Sequence, residues 1–202
     1  EHKLYLRGSK EQGRDYKTKN NQKQKDTKYD REAFTAGYGY QRDGHEFGVN
    51  YSNNNTGHTG TPALPMDITY VRGGLYDANY SWDLGDGYKL KTNVFYQKMR
   101  HWMDNYTMRS AATDMWNRTE VEAGGVDLAV DLPLFDGSLT VGVNGDQSNH
   151  DANSFMDMGM GMSTNFFNGV ERDRYSVFTE WNGNIAENTE LELGARYTHT
   201  WS

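Results

Sequence analysis

Residues 94–109, VFYQKMRHWMDNYTMR, decide how the rest of the chain reads. The stretch opens in strict alternation. Val94, Tyr96 and Lys98 fall on one side and Phe95, Gln97 and Met99 on the other, which is the period of a β-strand. It closes through residues 100–102 into Met103-Asp104-Asn105-Tyr106, with Met108 close behind. A strand that carries soft thioether sulfurs to its rim predicts a wall with a metal-handling mouth.

The same plan recurs on both sides. Alternating segments are expected at 3–8, 32–41, 45–53, 69–82, 88–99, 120–132, 138–147, 174–182 and 190–201. In each, one face is apolar: Phe34, Ala36, Tyr38 and Tyr40 in the second, Val126, Leu128, Val130 and Leu132 in the sixth. Tight turns fall near 43, 85, 135 and 186. Long polar loops are expected at 9–31, 54–68, from Met99 to 117, and 148–172. A propeller has a similar repeat but spends it on four strands per blade. Two strands per repeat, with turns alternately short and long, predict an antiparallel transmembrane β-barrel with short periplasmic turns and long extracellular loops. The rival is a soluble β-sandwich, which also has aromatic faces.

The opposite face is densely polar. Asp77, Asn79, Lys89, Lys91, Asn93, Gln97, Asp127, Asp131, Glu180, Glu192 and Arg196 cannot pack dry without pairing. They predict a wide hydrated lumen, and so a barrel larger than the about nine strands counted here. Both ends run in strand pattern and Glu1-His2-Lys3-Leu4 is no signal peptide, so residues 1–202 are expected to be a piece of one barrel domain.

Composition narrows function. The chain has 202 residues, net charge −7 and a mean hydropathy of −0.94. No run approaches the roughly 18 apolar residues of a membrane-spanning helix. Without cysteine there is no disulfide framework, thiolate nucleophile or Cys-based zinc site. Loop 9–31 holds eight bases against four acids but little aromatic interleaving, which favours solvent or lipopolysaccharide over nucleic acid. No nucleophile elbow, P-loop, zincin or dinucleotide motif occurs, so no enzyme is expected.

Methionine is the anomaly. Met156, Met158, Met160 and Met162 lie in SFMDMGMGMS. Met99, Met103, Met108 and Met115 lie in a second group and Met66 in a third. All but Met99 are expected in loops. Two readings stand: thioethers capture copper, for which they are selective ligands, or they fill contacts among loops. His58, His101 and His150 lie in the same three regions and suit Cu(II).

The chain resembles the TonB-dependent copper receptors of Gram-negative outer membranes (OprC/NosA type). The likeness rests on Met103-Asp104-Asn105-Tyr106-Thr107 with Arg109, on Gly60-Thr61-Pro62-Ala63-Leu64-Pro65-Met66-Asp67, and on Tyr175-Ser176-Val177-Phe178 through Leu193-Gly194-Ala195-Arg196. The resemblance implies a barrel of about 22 strands with a plug in its lumen. It implies uptake of copper ions energised by TonB-ExbB-ExbD through a plug absent from this stretch. By local motif, Met103 is similar to the principal barrel ligand and Met66 to a methionine on the path inward. Met108, Met115, Met156, Met158, Met160 and Met162 match as methionine-rich segments. Rival readings are a receptor for a siderophore or other metal chelate, and a passive outer-membrane pore or adhesin.

Overall fold

The computed structural model describes residues 1–157 and 161–202. They form β1 (His2–Gly13), β2 (Tyr29–Arg42), β3 (His45–Thr56), β4 (Asp67–Gly85), β5 (Tyr88–Asp104), β6 (Met115–Leu134), β7 (Gly137–Met156), β8 (Met162–Ala186) and β9 (Thr189–Trp201). Each strand pairs antiparallel with the next, giving one nine-stranded sheet in the order β1 to β9. The sheet does not close, because β1 and β9 do not pair. Among the described residues no second sheet packs against it. Among the described residues Ala152 is the buried apolar side chain, so the dry centre of a sandwich is absent.

Register turns the alternation of single strands into continuous rows. Tyr51, Tyr76 and Tyr96 are directly opposite one another on β3, β4 and β5, with rings 4.7 and 6.3 Å apart. Beneath them run Val49, Ala78, Val94 and Val126. A second aromatic cluster, His45 with Tyr80 and Trp82, lies by the short turns. This apolar face stays uncovered: Val94 is 50% exposed and Val177 54%. An uncovered apolar band between aromatic rows is the lipid face of an outer-membrane barrel. The opposite face is polar across the sheet. Asn79, Asn93, Asp127, Asn144, Ser176 and Thr198 share one row, and Lys91 pairs with Asp131 at 2.5 Å.

The short turns are as expected. Asp43 and Gly44 (φ 50° and 80°) and Asp86 and Gly87 (φ 52° and 83°) have the left-handed backbone of tight hairpins. At Gly44 a Cβ would also lie 2.7 Å from the Asp83 carbonyl oxygen.

The long loops are shorter than the sequence suggests. β7 runs to Met156 and β8 begins at Met162, where 148–172 was expected to be loop. β1 continues to Gly13, β5 to Asp104, and β6 starts at Met115. Met103, Met115, Met156 and Met162 therefore sit in strands, not loops. The ladder is held by backbone hydrogen bonds, which need no apolar side chains, so it continues above the lipid band through Asn, Ser, Thr and Glu. Met158 and Met160 lie outside the described residues.

Candidate metal-handling rim

The lumen face of β5 carries Met99, His101 and Met103 above Lys91, Asn93 and Gln97. They are two residues apart, on one side of one strand. His101 is five residues above Tyr96, about 17 Å along the strand, and so beyond the lipid band. It stands opposite Val71 on β4 and Thr119 on β6, and Met103 opposite Ile68 and Asn117. The Nε2 of His101 is buried without a hydrogen-bond partner among the described residues. Burial holds its imidazole below the usual histidine range, so the ring is neutral at pH 7. An unsatisfied buried nitrogen costs about 1–3 kcal/mol. Here it is a neutral imidazole between two thioethers, a mixed N and S donor set suited to copper.

Three more methionines meet one step nearer the rim. Met115 is directly opposite Met156, and Met156 directly opposite Met162. Cβ atoms of such pairs are about 4.5–5.5 Å apart, within reach of long side chains. The row shares the face of Met103, because Met103 is opposite Asn117, two residues from Met115. That diagonal is about 7–8 Å. Exposure rises along the row: Met115 is half-buried, Met156 is 36% exposed and Met162 61%.

Met66 and Met108 lie elsewhere, on two loops tied together by an ion pair. Arg109 Nε donates to Asp67 Oδ2 at 2.7 Å and Nη2 to Oδ1 at 2.5 Å. The same guanidinium donates to the carbonyls of Leu64 (2.8 Å) and Thr61 (2.9 Å) and lies 3.9 Å from Asp26. The Thr61 hydroxyl donates to the Met66 carbonyl. Burial raises the Asp67 carboxyl, but Arg109 and Thr61 outweigh it and leave the group below its ordinary value. Beside it, Asp104 accepts from Thr69 Oγ1 (2.9 Å), Trp102 Nε1 (3.2 Å) and the backbone NH and hydroxyl of Thr107 (2.8 and 2.7 Å). Gly60 is required by close packing, since a Cβ there would lie 2.1 Å from the Asp26 backbone.

These are the residues of two motifs quoted from the sequence. Their shared role as a loop clasp was not legible there, because nothing marks which of 28 acidic residues become buried. His58 lines a cleft on the outer wall, away from the methionines; His150 stands on the lumen face in the row of Met99, one strand beyond it past Val121, and is hydrogen-bonded to Ser148 (3.0 Å). No group of three or more His, Asp or Glu side chains among the described residues is placed to hold a metal.

The sequence profile of the family described as TonB dependent receptor-like, beta-barrel, matches residues 8–202. The chain belongs to the TonB-dependent receptor β-barrel family. The chain is thus part of an outer-membrane protein of Gram-negative bacteria, and the family is one of transporters and receptors, not of enzymes. The chain is similar in fold to the copper transporter OprC (TM-score 0.85, 19% identity), over 98% of this chain and 33% of that one. It is also similar to the ferric citrate transporter FecA in its unliganded form (TM-score 0.68, 12% identity, 98% and 32%). A third is BauA, the ferric preacinetobactin receptor from Acinetobacter baumannii (TM-score 0.67, 11% identity, 98% and 37%). The receptor chain spans about a third of the length of these structures. No curated protein matches it.

Proposed function

We propose that residues 1–202 are barrel wall of a receptor that takes up copper ions, with the plug and the TonB-ExbB-ExbD contact supplied by segments beyond them. The observation that carries this reading is the donor set on the lumen face. His101, with its buried unsatisfied nitrogen, lies between Met99 and Met103, and Met115, Met156 and Met162 lead down to it from the rim. Thioethers are soft donors that favour Cu(I) over calcium or zinc. The outer row captures ions, and the His101–Met103 step holds them for transfer inward. Met66 and Met108 flank the mouth on the clasped loops. The fold likeness to a copper transporter agrees with this.

The test is Cu(I) competition titration of the full-length receptor. Met103→Leu and His101→Ala should each weaken binding by about tenfold or more, one donor being worth at least 1.4 kcal/mol. Undiminished affinity in both variants would remove the copper reading. A second reading, a receptor for a metal chelate, is favoured by the fold shared with FecA and BauA. Uptake of an intact chelate that ignores both substitutions would establish it instead.

A further inference from the structure

The outermost methionines differ from the inner ones in what can reach their sulfur. Met156 and Met162 are the last paired residues of β7 and β8, and Met115 on β6 completes their row. Met162 is 61% exposed, against 36% for Met156. Met66, Met103, Met108 and Met115 are half-buried. Met99 is 39% exposed but stands four residues before Met103 on β5, farther down the lumen face. One thioether, at the top of the row, therefore meets solvent with most of its surface.

An exposed thioether is a nucleophile toward hydroperoxides. Its sulfur gives up two electrons and takes one peroxide oxygen. The O–O bond breaks, and with hydrogen peroxide the other oxygen leaves as water. Thioether and H2O2 thus become sulfoxide and water, with no further reactant. The product is polar, and its oxygen is a hard donor where Cu(I) selects soft sulfur. Position gives the change its effect. Met162 is directly opposite Met156, with Cβ atoms about 4.5–5.5 Å apart. Two facing thioethers offer an incoming Cu(I) ion a pair of soft donors, and a thioether facing a sulfoxide offers one.

We infer that Met162 is a reversible oxidation site that closes copper capture when hydroperoxides reach the receptor. This control rests on the copper reading above. Capture stops at the rim, while Met103 at the inner step, half-buried, stays reduced and keeps the ion it holds with His101.

The experiment treats the full-length receptor in detergent with dilute hydrogen peroxide and locates sulfoxide by peptide mass mapping. Met162 should be oxidised about tenfold faster than Met103 or Met115. The treated receptor should take up Cu(I) about tenfold more slowly in stopped-flow mixing, with its equilibrium affinity within about twofold of the untreated protein. Methionine sulfoxide reductases A and B should restore the rate. Met162→Leu should be slow from the start and indifferent to peroxide. Equal oxidation of Met162, Met103 and Met115 overturns the site, and no recovery with the reductases overturns its reversibility. An unchanged Cu(I) rate in the oxidised wild type overturns the control and leaves copper binding standing. Undiminished Cu(I) affinity in Met103→Leu and His101→Ala instead removes the copper reading, and this control with it.

Discussion

Arg109 shows what one side chain does at the rim. It is the shared donor for Asp67 and for two carbonyls of the 57–66 loop, and Asp67 is 1% exposed. Removing one partner of a buried pair leaves the other charged and desolvated, at a cost of about 3 kcal/mol. Arg109→Ala is therefore expected to release both loops. In hydrogen exchange of the full-length receptor, amides of 60–67 and 105–114 should exchange roughly a hundredfold faster, as that energy implies. Arg109→Lys should recover part of the protection, since a point charge replaces a two-pronged contact. Unchanged exchange in the alanine variant would mean that the loops are held otherwise. The chemistry of single residues was legible only in part: thioether and imidazole raised the copper reading that the Cu(I) titration tests, but the clasp was invisible until Asp67 and Arg109, 42 residues apart, were seen in contact.

At the scale of the element, β5 and β6 above the lipid band are joined by ion pairs. Lys98 and Arg100 on β5 both reach Glu120 on β6, at 2.8 and 3.0 Å. The hydrogen bond from Lys98, ahead of the opposing effect of burial and the bond from Arg100, brings the Glu120 carboxyl down to about 2 from an ordinary 4.5. A carboxyl depressed on folding stabilises the fold above its unfolded pKa and loses that contribution as pH falls through the folded one. The β5–β6 extension should thus be intact at pH 5 and loosen between pH 4.5 and 2. Exchange of amides 98–104 and 116–122 against pH measures this, and Glu120→Gln should flatten the profile. A wild-type profile as flat as the variant's would discard the account. The strands themselves were well anticipated over the lipid band and underestimated above it, because periodic hydrophobicity marks burial in lipid and a polar ladder has none.

The whole molecule is a single two-faced layer. One face is uncovered and apolar, with Val94 between the aromatic rows; the other carries Asn93 in a row of six polar side chains. Adjacent residues of one strand should therefore differ sharply. Val94→Arg in the full-length receptor puts a charge in lipid, at about 2–4 kcal/mol near the midplane, and should lower the yield of folded, heat-modifiable barrel. Asn93→Arg points into the lumen and should assemble normally. Equal assembly of the two variants would contradict the assignment of the faces.

The amino-acid sequence determined by itself which residues face lipid and which face water, because that alternation is local to each strand and repeats in every one. It also determined the short turns, where Asp-Gly pairs admit the left-handed backbone. Only the tertiary structure decided that Met115, Met156 and Met162 form one row above Met103, that the strands outrun the lipid band, and that Asp67, Asp104 and Arg109 clasp the loops. Those facts depend on register between strands and on contacts across 35 or more residues. No single stretch carries them, since a hydrogen-bonded ladder accepts many side chains and register sets only which of them meet.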